Sequence, residues 1–214
     1  MPRKKHPPAP IYQLKITLSD SKPPIWRRVL VSGHTTLSTL HRIIQMVMGW
    51  NDYHLHEFEI AGQRYTDPMV DIEGDKNEAF VRLKQLIPHE KTKFRYIYDF
   101  GDGWLHEILV EKILPPDPEK ERKLPLCLKG KRACPPEDVG GINGYYDFLE
   151  AIQDPNHPDH KHLSNWIEAV EHVKSEEEEN EDISEQNPET PLFDPEYFNL
   201  EEANNVLAEL RPRR

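Results

Sequence analysis

The sequence is poor in cysteine and has no long apolar run. Its 214 residues include two cysteines, Cys127 and Cys134, and only 36% are hydrophobic. Two cysteines cannot build a disulfide framework or a four-cysteine zinc site, so free thiols in a reducing compartment are expected. A membrane-spanning helix would need about 18 consecutive apolar residues, and the charged, proline-rich start lacks the apolar segment of a secretory signal. We therefore expect a soluble, cytoplasmic protein without a membrane partner.

Charge is distributed unevenly along the chain. The sequence has 38 acidic and 27 basic residues, a formal net charge of -11. From Glu171 to Glu202 there are 13 acidic residues and one basic residue, Lys174, so the remainder holds 25 acidic and 26 basic residues. A folded part near neutrality offers no basic face for nucleic acid. A nucleic-acid partner therefore stays an alternative that the charge does not support.

Composition divides the chain into five segments. We predict a basic, proline-rich tail at 1–10, a sheet-and-helix portion at 11–115, a loop-and-helix portion packed on it at 116–174, an acidic linker or loop at 175–191 and a C-terminal helix at 192–214. Neither of the two large portions has enough apolar residues to be expected to fold independently, so we expect the two to share one hydrophobic core.

Alternating apolar and polar residues predict at least five strands. The predicted strands cover 11–18, 25–31, 54–60, 94–100 and 104–114. The first two should pair as a hairpin, and the last two should form another with its tip at Gly101 to Gly103. In the strand at 94–100, Phe94, Tyr96, Tyr98 and Phe100 are predicted to share one face.

Helical spacing predicts a helix at 37–48, with Thr36 or Ser38 as its N-cap and Gly49 just past its end. Further helices are predicted at 145–154, 162–174 and 200–210, with one helical turn near 83–88. The fold class is therefore α+β, with a mainly antiparallel sheet of five or more strands, a covering helix and a smaller helical C-terminal portion.

Five ordered blocks carry a resemblance to a known family. They are PPIWRRVLV, TLHRIIQMVMGW followed by HLHEFEI, YIYDFGDGWLHEI, CPPEDVGGINGYYDFLEAIQDPNHP and FDPEYFNLEEAN. From about Tyr12 to Asn204 the chain resembles the plasmid pRiA4b ORF-3-like family. The resemblance implies association with mobile-element genes and carries no activity or catalytic residue. Some members are labelled resolvases, but this sequence has no arginine-supported serine and no helix-turn-helix pattern.

Three histidines are candidate metal ligands. His54 and His56 lie two residues apart on one predicted strand face, and His106 lies in the later hairpin. If these strands are neighbours, the three imidazoles could meet, with Cys134 or Asp102 completing a zinc-like set. The alternative, which we favour, is that each histidine packs at the edge of the core, because no compact ligand spacing such as H-x-x-x-H occurs.

Four carboxylates form a second candidate group. Asp99 and Asp102 lie at the predicted hairpin tip, and Glu137 and Asp138 lie in the loop CPPEDVGG. They could converge on a divalent cation for hydrolysis. The alternative is that Asp99 and Asp102 accept backbone N–H groups in a tight turn whose glycines adopt positive φ.

The loop CPPEDVGG has the least generic composition of the chain. Two prolines stiffen it, Gly140 and Gly141 allow positive φ, and Cys134 is a candidate reactive thiol with only Lys131 and Arg132 nearby to activate it. The loop is expected to contact a ligand or partner, or to dock the helical portion on the sheet. The candidate ligand or partner surface is thus Asp99, Asp102, His106, Cys134, Glu137, Asp138, Gly140 and Gly141.

These features favour a non-enzymatic binding or adaptor protein whose partner is another protein. No cofactor is predicted as a requirement. The alternative is a metal-dependent hydrolase, or a nucleic-acid-processing accessory protein, that uses a His/Asp/Glu cluster with a divalent metal. Catalytic residues are not assigned by the sequence.

Overall fold

The computed structural model describes residues 8–70, 72–177 and 193–211. The strands are β1 Ile11–Leu18, β2 Trp26–Ser32, β3 His56–Ile60, β4 Gln63–Thr66, β5 Lys76–Asn77, β6 Lys93–Tyr98, β7 Trp104–Leu114 and β8 Leu126–Lys131. The α-helices are α1 Leu37–Met48, α2 Leu83–Leu86, α3 Pro118–Glu121, α4 Gly141–Gln153, α5 His160–Glu177 and α6 Leu200–Ala208, and a 3-10 turn spans Glu78–Phe80.

All eight strands form one sheet in the order β5-β4-β3-β6-β7-β1-β2-β8. Every neighbouring pair is antiparallel except β4 with β5. Both predicted hairpins, β1 with β2 and β6 with β7, are present. The predicted α+β class with a mainly antiparallel sheet is confirmed. Within the described residues, no helix has the length and apolar character needed to cross a membrane.

One face of the sheet packs on helices and the other carries charge. The inward row of β6 and β7 includes Tyr96, Tyr98 and Trp104, each at most 1% exposed. Burying side chains of this size contributes roughly 2–3 kcal/mol each. On the outward row, Lys93 pairs with Glu107 at 2.9 Å. The two-residue strand period therefore separates a packed face from a solvated one.

The covering helix α1 begins and ends as its sequence predicts. The Thr36 side chain accepts a hydrogen bond from the Thr39 N–H, and Gly49 adopts a left-handed conformation with its N–H bonded to the Gln45 carbonyl. These contacts satisfy backbone groups that a helix end leaves without partners. They fix where the chain leaves α1 towards residues 50–55.

The structure differs from the predictions at several boundaries. β3 begins at His56, so His54 lies before the strand, and β6 ends at Tyr98 because Asp99 turns the chain with φ 55°. Phe100 consequently leaves the packed face and is 47% exposed. α4 begins at Gly141, four residues before the predicted start at Tyr145.

Elements of the structure fall across the predicted segments. β8 comes from beyond residue 115 and extends the same sheet beside β2. Of the predicted acidic linker at 175–191, residues 175–177 continue α5 and the rest lies outside the described residues. Of the predicted tail at 1–10, residues 1–7 lie outside them as well.

The C-terminal helix α6 lies against the outer strand β8. The Asn204 side chain accepts a 2.9 Å hydrogen bond from the Cys127 N–H and donates one of 3.0 Å to the Cys127 carbonyl. One amide therefore satisfies both backbone groups of a residue at the sheet edge. This contact ties the C-terminal segment to the sheet.

Candidate cation site

Three side chains from separate segments meet at one end of the sheet. His54 lies just before β3, Asp99 just after β6, and Asp138 in the loop before α4. His54 Nε2 lies 3.8 Å from Asp99 Oδ2 and 3.2 Å from Asp138 Oδ1. The three ligand atoms all lie within 4.8 Å of one another. We call His54, Asp99 and Asp138 the cation triad.

The spacing within the cation triad matches a metal coordination sphere. Ligands about 2.1 Å from an ion lie roughly 3.0 Å apart at right angles and about 4.2 Å apart when opposite. The measured separations of 3.2 and 3.8 Å fall between these limits. His54 Nε2 is also buried and makes no hydrogen bond in the described part of the chain.

Pairing of β3 with β6 brings two members of the triad together. His56 lies opposite Tyr98 in the register, and the Asp99 N–H donates to the Leu55 carbonyl at 2.9 Å. Asp99 Oδ1 accepts the Gly101 N–H at 2.9 Å, as the turn interpretation predicted. The other carboxylate oxygen, Oδ2, is the atom that faces His54.

The loop CPPEDVGG supplies the third member and docks on the hairpin tip. Asp102 Oδ2 accepts the Gly140 N–H at 3.1 Å. A Cβ on Gly141 would overlap the Asp102 carbonyl oxygen, and Gly140 and Gly141 have φ values of 93° and 69°. Asp102 therefore joins the loop to the hairpin, and its carboxylate lies outside the cation triad.

Tyr98 connects the segments that carry the triad. Its hydroxyl donates to Glu137 Oε1 at 2.5 Å and accepts the Tyr53 N–H at 3.0 Å. The other Glu137 oxygen accepts the Asn51 N–H at 2.9 Å. Burial, and then the Glu137 carboxylate, raise the pKa of Tyr98, so the hydroxyl stays a donor. Glu137 therefore holds the loop in place with both oxygens occupied.

A second cluster lies deeper, under α1. The rings of His41 and His56, here called the stacked pair, are 3.5 Å apart and inclined by 2°. His41 Nε2 lies 2.7 Å from Asp52 Oδ1, and His56 Nε2 lies 3.0 Å from Glu78 Oε2. The ligand atoms of His41, Asp52 and His56 also lie within 4.8 Å of one another.

The stacked pair is nevertheless a poor metal site. A metal binds an imidazole nitrogen in the plane of its ring at about 2.1 Å. An ion shared by two parallel rings 3.5 Å apart would lie well outside both planes. The Nε2 atom of each ring faces its own carboxylate instead, as the packed-histidine alternative expected for His56.

The hydrogen bonds around His41 indicate which of its two ring nitrogens carries the proton. Gln45 Nε2 donates to the Tyr96 hydroxyl at 2.9 Å, and His41 Nδ1 lies 2.7 Å from the same hydroxyl oxygen. In neutral His41 with its proton on Nε2, the hydroxyl donates to Nδ1. His41 Nε2–H then donates to Asp52. Burial lowers the pKa of His41, which favours this neutral form. The relay ends at a tyrosine with 0% exposure, so it presents no nucleophile to a substrate.

His106 belongs to neither cluster. It is fully buried, with Nδ1 3.0 Å from the Trp104 carbonyl oxygen and its edge against Trp50. Burial lowers the pKa of His106 to about 4. The hypothesis that His54, His56 and His106 meet is therefore wrong: His54 lies in the cation triad, His56 in the stacked pair and His106 in the core.

Neither cysteine joins the cation triad. Cys134 is half-buried and packs against the hydrophobic core, while Cys127 is buried in β8. Burial raises the pKa of the Cys127 thiol, which keeps it protonated near neutral pH. Cys134 is thus placed at the start of the docking loop, several residues before Asp138.

Sequence reasoning missed His41, Asp52 and Tyr98. His41 did leave a signal, because it interrupts the apolar stripe of α1 and is 4% exposed. A polar side chain in such a stripe calls for a buried partner. Tyr98 left no signal of its own, because it continues the inward row of β6 like any core aromatic.

A hollow of about 310 Å³ lies away from the cation triad, over the outward face of β6 and β7. Its lining includes Lys93, Arg95 and Glu107. Lys93 pairs with Glu107, and Arg95 approaches Glu59 at 3.5 Å. The hollow therefore carries charges that are already paired, and we assign the candidate site to the triad.

Fold and site define an α+β protein with a single helix-covered sheet and a His/Asp/Asp cluster at the end of its β6–β7 hairpin. The family described as Plasmid pRiA4b ORF-3-like protein matches residues 10–202, and the chain belongs to that family. Uncharacterized protein y4hQ from Sinorhizobium fredii (strain NBRC 101917 / NGR234) is 38% identical over 160 residues, covering 74% of this chain and 81% of that protein.

A solved structure shares the fold. It is the crystal structure of a protein of unknown function, MM3350, from Methanosarcina mazei Go1, with a TM-score of 0.71 and 32% sequence identity. The match covers 92% of this chain and 98% of that one. The suspected family is thereby confirmed, and neither relative's name states an activity.

Proposed function

We propose that the protein binds a divalent cation through His54, Asp99 and Asp138 and engages its ligand at that cation. The observation that carries the proposal is the convergence of one imidazole nitrogen and two carboxylate oxygens within 4.8 Å. One nitrogen and two oxygen donors suit Mn²⁺, Fe²⁺, Co²⁺ or Zn²⁺ better than Ca²⁺, which prefers oxygen ligands alone.

The exposure of the triad supports an open coordination sphere. The side chain of Asp99 is 11% exposed, that of His54 28% and that of Asp138 67%. The ion would thus be held from the protein side and open on the side of Asp138. Three protein ligands leave positions for water or a further ligand, as functional metal sites do. This agrees with a binding role in which the cation contacts the partner molecule.

Metal content is the first test. Protein purified without a His tag is dialysed and titrated with Mn²⁺, with free Mn²⁺ followed by electron paramagnetic resonance. We expect one bound ion per chain, and at least about tenfold weaker binding in His54→Ala and Asp138→Asn because each removes a ligand. His89→Ala and Asp147→Asn change exposed residues of the same types elsewhere and should bind as the wild type does. Equal affinity in all five proteins would contradict the proposal.

Metal-dependent hydrolysis is a second candidate, favoured by the open side of the triad. A cation with a free position can activate water for attack on an ester or amide. Turnover of an activated ester by the Mn²⁺- or Zn²⁺-loaded protein should then disappear in Asp138→Asn and persist in Asp147→Asn. Cation binding without any turnover would leave the non-enzymatic binding role and remove the hydrolase.

Three further expectations stay predictions. They are a cytoplasmic location, a protein partner and an association with mobile-element genes. The first follows from the reduced thiols expected for Cys127 and Cys134. The last rests on the family to which the chain belongs.

A further inference from the structure

We infer that the cation takes an oxygen of an apolar or aromatic molecule that carries little negative charge, and that it disfavours phosphate groups. This inference rests on the proposed cation site and names the ligand class of that same site. It is argued from two properties of the segments that carry the triad: an excess of carboxylates and a set of exposed apolar side chains.

Carboxylates outnumber the charge that a divalent cation would bring. Asp99 and Asp138 would neutralise the ion, and Asp52, Asp102 and Glu137 remain on the same segments. In the part of the chain that the structure describes, no lysine or arginine nitrogen lies within 4.0 Å of any of these five carboxylates. Phosphate-binding sites rely on such cationic groups or on helix N-termini.

At the start of α4, the first N–H group is already taken. The Gly140 N–H is bonded to Asp102, and Gly141 lies against the Asp102 carbonyl oxygen. A doubly charged phosphate approaching the cation would therefore meet an excess of negative charge on the protein, which Arg42 offsets only in part at Asp52. A ligand of low charge meets no such repulsion.

Exposed apolar side chains lie next to the triad in the chain. Tyr53 is 62% exposed, Leu55 53% and Phe100 47%. Tyr53 and Leu55 flank His54, Phe100 follows Asp99, and the Asp99 N–H donates to the Leu55 carbonyl, so the segments are paired. Large apolar side chains concentrated at a candidate site indicate a contact surface. They would contact the apolar body of a ligand whose oxygen is on the cation.

Three small probe molecules test the two parts of this inference separately: the apolar part, which is the preference for an apolar or aromatic ligand, and the charge part, which is the weak binding of phosphate groups. Acetohydroxamic and benzohydroxamic acid share one chelating group and differ by the phenyl ring, whereas phenyl phosphate keeps the ring and carries the phosphate charge. Binding of each to the Mn²⁺-loaded protein is measured by calorimetry. We expect benzohydroxamic acid to bind at least about fivefold tighter than acetohydroxamic acid, since the ring buries apolar surface. Relative to its affinity for free Mn²⁺ in solution, phenyl phosphate should bind the loaded protein at least about tenfold weaker than benzohydroxamic acid does, a comparison that removes the intrinsic advantage of the chelating hydroxamate.

Variants of the apolar residues test where the ring binds. Phe100→Ser and, separately, Leu55→Ser should reduce the preference for benzohydroxamic acid to about twofold or less while binding of Mn²⁺ and acetohydroxamic acid stays unchanged. Phe80→Ser is the matched control, because Phe80 is 80% exposed in the Glu78–Phe80 turn. An unchanged preference in both Phe100→Ser and Leu55→Ser would overturn the apolar part.

Phosphate binding decides the charge part. If phenyl phosphate bound as tightly as benzohydroxamic acid by that comparison, the ligand of the site would be a phosphoryl compound. This result would contradict the inference about the ligand class but would still support the cation site. If Mn²⁺ itself did not bind, the direct titration would show that the proposed function had failed first.

Discussion

The Tyr98 hydroxyl and the Glu137 carboxylate are joined by a 2.5 Å hydrogen bond across the end of the sheet. Each partner is the chain neighbour of a triad member, since Tyr98 precedes Asp99 and Glu137 precedes Asp138. The same hydroxyl accepts the Tyr53 N–H, next to His54. One side chain therefore aligns three segments that come from distant parts of the sequence.

Loss of this hydroxyl should weaken the cation site without unfolding the protein. Tyr98→Phe leaves Glu137 without its buried donor, which destabilises by about 1–3 kcal/mol and loosens the Asp138 segment. We expect Mn²⁺ affinity to fall about tenfold. Tyr197→Phe removes a comparable but exposed bond to Glu202 and should leave Mn²⁺ affinity unchanged. Identical Mn²⁺ titrations for both variants would show that Tyr98 does not position the triad.

The contact between Gly141 and Asp102 should be sensitive to a single methyl group. Gly141→Ala combines the strain of φ 69° with an overlap against the Asp102 carbonyl oxygen. Gly62→Ala is the matched control, because Gly62 has φ 79° and open space around its Cα. In urea unfolding we expect about 1 kcal/mol of destabilisation for Gly62→Ala and more than 2 kcal/mol for Gly141→Ala. If both variants lost the same free energy of unfolding, the loop would accommodate the extra methyl group of Gly141→Ala without added strain.

Local sequence patterns predicted the helices and strands, but they did not predict how the three residues of the cation triad come together. The bounds of α1 follow from Thr36, a helical stripe and Gly49, which are all close in sequence. The meeting of His54 with Asp138 depends on how a loop folds back on the hairpin tip, which no periodicity encodes. Asp99 and Asp138 both adopt φ near 60°, which aspartate reaches more readily than most residues. The tight turn at Asp99 was predicted, but nothing in the sequence indicated that its second carboxylate oxygen would face His54 and Asp138.

The histidine hypothesis failed for a related physical reason. An alternating pattern predicts that residues share a face, but it does not say where a strand begins. Since β3 starts at His56, His54 leaves the row and reaches the cation triad, whereas His56 stays in the row and stacks on His41. Two residues of one motif thus reach two different environments. The alternative that they are packed residues describes His56 and His106 better than His54.

Buried His106 should make the protein sensitive to acid. Its pKa is lowered to about 4 by burial, so the unfolded chain binds a proton at a higher pH than the folded one. Stability is therefore lost as pH falls from about 6.5 towards 4, by about 2 kcal/mol at pH 5 from this residue alone. Burial also lowers the pKa of His41, which acts in the same direction.

The variant His106→Phe isolates this contribution. Comparing urea unfolding at pH 7 and pH 5, we expect a smaller loss of stability in His106→Phe than in the wild type. His89→Ala, which changes an exposed histidine, should lose as much as the wild type. If His106→Phe lost stability on acidification to the same extent as the wild type, a different group would be responsible.

The Asn204 bridge to Cys127 should determine how firmly α6 holds the sheet edge. Asn204→Asp keeps the size of the side chain but cannot donate to the Cys127 carbonyl, and it places a carboxylate oxygen against that carbonyl. We expect a loss of about 1–3 kcal/mol in urea unfolding and faster hydrogen exchange in β8, since the orphaned carbonyl lies at a partly buried contact. Asn205→Asp, one residue further on the exposed side of α6, adds the same charge without breaking the bridge. If both variants exchanged β8 amides at the wild-type rate, α6 would be held by other contacts, such as the apolar contacts of Ala203 and Leu207.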